Sequence, residues 1–85
     1  MQIQCRFFAS LREAVGTSQE SIILPAGVQT VGQVLDLLRQ RGGVWTDALA
    51  EGRAVRMACN QVMADLHTPV TEGCELAFFP PVTGG

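Results

Sequence analysis

The chain has 85 residues, 47% of them hydrophobic and 16% charged, with a net charge of −2. One small domain fits that length and two do not, the apolar content argues against disorder, and the acidic balance argues against a nucleic-acid partner. All six basic residues are arginines (Arg6, Arg12, Arg39, Arg41, Arg53 and Arg56), so a P-loop lysine, a Schiff-base lysine and a polybasic membrane patch are excluded.

From the N-terminus, Ile3-Gln4-Cys5-Arg6-Phe7 alternates apolar and polar residues as a half-buried strand does. Ser10-Leu11-Arg12-Glu13 has the form of a capping box opening a short helix, with Gly16 placed to end it. Glu20–Leu24 predicts a second strand closed by Pro25-Ala26-Gly27. The main helix is announced by a second capping box, Thr30-Val31-Gly32-Gln33, and by Val31, Val34, Leu35 and Leu38 repeating at one-turn spacing. Arg39 and Arg41 suit its C-terminal dipole, and Gly42-Gly43 supplies the stop. Gly32, inside the first turn, reads as a penalty of about 1 kcal/mol against alanine. Trp45–Leu49 is a further short helical piece whose apolar residues cover the core.

The last third is strand-like. Val55–Cys59 is one strand, Asn60-Gln61 a turn, Val62-Met63 a very short strand, and Thr71-Glu72-Gly73 a turn before Glu75–Phe79. This order predicts an α+β domain, its mixed sheet covered on one face by the main helix, with the first and last strands able to run parallel through a helical crossover.

Strand parity puts Ile3, Cys5 and Phe7 on one face of the first strand and Gln4, Arg6 and Phe8 on the other. In the last strand Cys74, Leu76 and Phe78 oppose Glu75, Ala77 and Phe79. Each polar face therefore ends in a phenylalanine. In parallel neighbours, Phe8 and Phe79 lie at one end of the sheet as two exposed rings, a docking surface that Met63 joins. Beyond them comes Pro80-Pro81-Val82-Thr83-Gly84-Gly85. Prolines end a strand ladder, and two terminal glycines stabilise nothing, so they point to a use for the terminus itself. The expected division is a folded domain over 1–79 and a flexible tail over 80–85.

Three residue clusters carry less. Cys5, Cys59 and Cys74 match no CxxC or zinc spacing and read as core residues. His67 is the sole histidine; paired with Asp65 it still has no nucleophile to activate, which disfavours an independent hydrolase. No apolar stretch approaches a membrane span, and the first residues lack a signal-peptide pattern, so the expected location is the cytoplasm, without membrane association.

Phe7-Phe8-Ala9, Arg12-Glu13, Val15-Gly16-Thr17, Asn60-Gln61 and above all Ala77-Phe78-Phe79-Pro80-Pro81-Val82-Thr83-Gly84-Gly85 closely resemble the small subunits of molybdopterin synthase, sulfur carriers of the ubiquitin-like β-grasp fold. The resemblance implies a specific chemistry. An ATP-dependent, E1-like activating enzyme adenylates the carboxylate of Gly85, sulfur from a persulfide displaces AMP, and the resulting thiocarboxylate donates sulfur to cyclic pyranopterin monophosphate. By the same resemblance, Thr83 and Gly84 pass through a narrow channel of the large subunit. Phe8, Met63 and Phe79 dock on that subunit, with Arg12 at the rim. The assembly is a heterotetramer, the catalytic side chains belong to the large subunit, and this chain binds neither metal nor cofactor. A ubiquitin-like protein modifier, a thiamine-pathway sulfur carrier and a plain interaction module remain as alternatives.

Overall fold

The computed structural model describes residues 1–81, and within them five strands form one mixed sheet in the order β2-β1-β5-β3-β4. The strands are β1 (Gln2–Phe7), β2 (Gln19–Ile23), β3 (Arg56–Cys59), β4 (Val62–Ala64) and β5 (Glu75–Phe79). The helices are α1 (Ala9–Val15), α2 (Val31–Arg39) and α3 (Val44–Ala48). β1 and β5 are parallel neighbours, in the register Cys5↔Leu76 and Phe7↔Phe78. β1 pairs antiparallel with β2, and β3 antiparallel with both β4 and β5. The last strand is thus the central one.

The helices cover one face only. Ile3, Cys5 and Phe7 from β1, Leu76 and Phe78 from β5 and Val31, Val34, Leu35 and Leu38 from α2 form a single buried cluster. Phe7 stacks on Phe78 with ring centroids 5.7 Å apart and meets the edge of Trp45 at 5.3 Å. The Trp45 ring, in turn, lies 4.6 Å beneath the Arg41 guanidinium. Arg41 reaches across to Glu20 through two hydrogen bonds and so ties the end of α2 to β2. That pairing holds the Glu20 carboxyl below its ordinary pKa of 4.5, chiefly through the hydrogen bond from Arg41.

The α2 capping box forms as expected: Thr30 Oγ1 accepts from the Gln33 N–H at 3.3 Å, and Gln33 Oε1 accepts from the Thr30 N–H at 3.1 Å. Arg41 falls just past the helix, which closes at Arg39. The box expected at Ser10 does not form. The chain turns from β1 directly into α1 at Ala9, at φ 51, with Phe8 as N-cap and no side-chain cap. The Phe8 N–H still donates to the Phe78 carbonyl at 3.1 Å, while the Phe8 carbonyl accepts from Leu11. The strand ladder therefore runs up to the helix and leaves Ser10 inside the first turn.

Gly32 also differs from its sequence reading. A Cβ built there would sit 2.9 Å from the Leu66 carbonyl oxygen, so the glycine permits a close approach rather than merely weakening the helix. Its N–H donates to that same oxygen at 2.9 Å, and the Val31 N–H donates to the Thr68 carbonyl at 2.9 Å. The 65–69 loop thereby satisfies two of the amides that a helix leaves open at its N-terminus.

Candidate functional site: the uncovered face of the sheet

The face opposite α2 has no covering element among the described residues. Its composition follows from the ladders, because residues directly opposite one another share a face. One row crosses four strands as Arg6–Ala77–Ala58–Met63. In the next row Arg56 stands opposite Phe79. Phe8 and Phe79 each come one residue after the Phe7↔Phe78 pair, at the same end of the two parallel strands, and the Phe8 ring lies on the Arg6 side of the sheet. The three apolar docking residues expected from the sequence are thus brought to one face, and the two rings to one end of it.

Their exposure is uneven. Met63 is 60% exposed and Phe8 39%. Phe79 is half-buried rather than fully exposed, because β5 is flanked on both sides by β1 and β3. The Arg6 guanidinium stands 5.6 Å from the Phe8 ring centroid. Ala58 and Ala77, which parity in β1 and β5 alone did not join into a surface, form the low floor between Met63 and the rings. Extending parity to β3, where Arg56 and Ala58 alternate with Met57 and Cys59, is the signal that finds Ala58 and Arg56.

Arg12 is exposed on α1, which starts at the Phe8 end of the face, and its side chain has no ion pair among the described residues. Pro80 and Pro81 follow β5 without strand pairing and are half-buried. Thr83, Gly84 and Gly85 lie outside the described residues.

The remaining polar groups have structural tasks. Asp65 Oδ1 accepts from the His67 backbone N–H at 2.8 Å and from the Thr68 hydroxyl, so the acid organises a loop instead of orienting the imidazole. Cys5 and Cys74 are buried and Cys59 is half-buried, all as free thiols. Burial pushes the Cys5 thiol up to about 12, and burial likewise raises Cys59. Such thiols are poor nucleophiles. No cluster of three or more His, Cys, Asp or Glu among the described residues could hold a metal ion. No helix among them is long and apolar enough to cross a membrane. A hollow of about 330 Å³ on the helix side is lined by Leu35, Arg39, Val55, Met57 and Leu66 among others. It gathers no set of catalytic groups.

Comparison with known proteins agrees with this picture. The molybdopterin synthase sulfur carrier subunit of Haemophilus influenzae is 42% identical over 79 residues, spanning 93% of this chain and 94% of its own. Among solved structures, SAMP1 of Haloferax volcanii, a small archaeal modifier protein, superposes over the full length of both chains with a TM-score of 0.77 at 29% identity. The subunit 1–subunit 2 complex of molybdopterin-converting factor from Helicobacter pylori contains a chain of the same fold, with TM-score 0.69, 23% identity and full coverage of both chains. These neighbours place the mixed sheet and its parallel β1–β5 pair in the ubiquitin-like β-grasp fold. The ThiS family pattern runs through residues 5–85, and the chain belongs to that family.

Proposed function

We propose that this chain is the sulfur-carrier small subunit of a molybdopterin synthase. The observation that carries the proposal is the 42% identity to a sulfur carrier subunit of that name over nearly the whole of both chains. The apolar face beside the end of β5 supports it, since a carrier must be held while its terminus reaches a site elsewhere. In this reading residues 1–79 are the platform and 80–85 the tail.

The chemistry resides in one carboxylate. A free carboxylate resists nucleophiles because it is anionic and has no leaving group. An oxygen of the Gly85 carboxylate attacks the α-phosphorus of ATP on an activating enzyme, pyrophosphate leaves, and an acyl-adenylate forms. The terminal sulfur of a persulfide then attacks the acyl carbon and expels AMP. A second thiol cleaves the resulting S–S bond, forming a disulfide and freeing the thiocarboxylate. On the large subunit, that sulfur passes to cyclic pyranopterin monophosphate and the carboxylate returns. Gly84 and Thr83 present little bulk to a channel, and Phe8, Met63 and Phe79 anchor the platform, with Arg12 at the rim. ATP belongs to the activating enzyme, the catalytic side chains belong to the large subunit of a heterotetramer, and no cofactor resides on this chain. In this reading the chain works in the cytoplasm, and neither nucleic acid nor membrane takes part.

Intact-mass spectrometry tests this reading. After incubation with an activating enzyme, ATP and a persulfide donor, the chain should gain the mass of one oxygen-to-sulfur exchange, and deletion of Gly85 should abolish the gain. An unchanged mass for the intact chain refutes the carrier function. A second reading, a protein modifier, is favoured by the likeness to SAMP1. It predicts isopeptide-linked conjugates with target lysines in place of sulfur transfer to the pterin.

A further inference from the structure

We propose that the uncovered sheet face selects its protein partner by charge as well as by apolar fit, with Arg6 and Arg56 receiving carboxylates of that partner on either side of the Phe8–Phe79 pair. The inference rests on the docking role given to this face above and adds what the partner must present.

Charge is sorted unevenly over the molecule. The whole chain has eight acids against six arginines. On the uncovered face, the strands present Arg6 and Arg56 against Glu75, two positive charges to one negative. Their other polar positions there are neutral: Gln2, Gln4, Gln19 and Ser21. A net-acidic protein thus turns a locally positive face outward, around an apolar centre.

The two arginines also have unspent hydrogen-bonding capacity. Two arginines of the helix side are committed, Arg41 to Glu20 and the Trp45 ring and Arg39 to Asp36 and the Leu49 carbonyl, whereas Arg6 and Arg56 on this face are not. Arg6 is half-buried, and its Nε is shielded from solvent with no hydrogen-bond partner among the described residues. Its nearest acid, Glu75, stands 3.6 Å from a terminal guanidinium nitrogen, which is ion-pair range but too long for a hydrogen bond. The Phe8 ring beside the guanidinium restricts it. The terminal guanidinium nitrogens, on a side chain that stays partly exposed, form no hydrogen bond among the described residues and suit a carboxylate that approaches from outside the sheet. Arg56 is exposed opposite Phe79 and has no ion pair among the described residues. A phosphate polymer is a poor match, because the strands of this face carry two arginines and one glutamate around an apolar patch, on a chain of net charge −2. A protein surface with an apolar socket bordered by aspartates or glutamates fits.

The test is stopped-flow association with a purified molybdopterin synthase large subunit over a salt series. The double variant Arg6→Gln/Arg56→Gln should associate about tenfold more slowly at low ionic strength and lose most of its salt dependence. Glu75→Gln should act in the opposite direction and speed association. Arg53→Gln, the same charge change away from this face, should leave the rate unchanged. Equal rates and equal salt slopes for wild type and the double variant overturn the inference while leaving the carrier reading intact. Failure of the wild type to bind the large subunit at all refutes the carrier reading, and the inference with it. If the double variant does not fold, Arg56→Gln alone, at an exposed site, should still slow association and flatten the slope, and an unchanged rate there overturns the inference.

Discussion

Substituting Gly32→Ala pits helix propensity against close packing. In an open helix interior the exchange stabilises by about 1 kcal/mol. Here the new methyl sits 2.9 Å from the Leu66 carbonyl oxygen and 3.3 Å from its Cβ. The first contact is with backbone, which cannot rotate aside as a flexible side chain would. Relief requires the 65–69 loop to move away from α2. That movement stretches two hydrogen bonds, Gly32 N–H to Leu66 and Val31 N–H to Thr68, both 2.9 Å long. Each is worth about 1 kcal/mol net and more if its N–H is left buried without a partner. The loss of about 2–3 kcal/mol exceeds the propensity gain and leaves a net destabilisation of about 1–2 kcal/mol. For a domain this size that lowers the thermal midpoint by roughly 5–12 °C. Thermal unfolding followed by circular dichroism reads the shift directly. A midpoint equal to or above that of the wild type refutes the close-packing argument and restores the simple view of Gly32 as a weak point in the helix.

Two further outcomes concern titration. The Glu20 carboxyl has its folded pKa held below 4.5 by Arg41, so the pair contributes stability above pH 4.5 that is lost as the pH falls through the lower folded value. Glu20→Gln should therefore be less stable than wild type near neutrality, by under about 1 kcal/mol because the pair is partly solvated; the gap should close in acid, and a gap that persists unchanged at low pH contradicts the assignment. The Cys5 thiol has its folded pKa raised from 9.0 to about 12. The folded state keeps its proton where the unfolded chain gives it up, so this contribution is full below pH 9 and is lost between pH 9 and 12. Urea titrations at pH 8 and 10 should show wild type losing more stability than Cys5→Ala; equal losses argue against the buried, protonated thiol.

Local rules made some features legible before any coordinates. The Thr30 capping box and the Val31–Leu38 spacing each depend on neighbours within one or two turns, and both hold. The alternation in β1 likewise predicts its buried face. What failed depended on distant chain segments. Ser10 has the chemistry of an N-cap, yet the Phe8 N–H is already taken by Phe78, seventy residues away in sequence. Gly32 looks like a defect until the loop that presses on it is known. Phe79 was expected to be exposed like Phe8, but its central strand shelters it on both sides. The uncovered face was half visible: parity marked Phe8 and Phe79, whereas the row that joins Arg6 and Arg56 to them follows only from the order of the strands.

That order also constrains how the protein is made. β5 is the last of the five described strands to leave the ribosome, yet β1 and β3 both need it as a neighbour. Until Glu75–Phe79 is available, the β1–β2 pair and the β3–β4 hairpin each present an open inner edge, and Phe7 lacks the ring it stacks upon. A chain that stops short of β5 is two unjoined half-sheets, prone to aggregation and proteolysis. Folding therefore waits on translation: the sheet closes only when its central strand, Glu75–Phe79, is available to join the two halves.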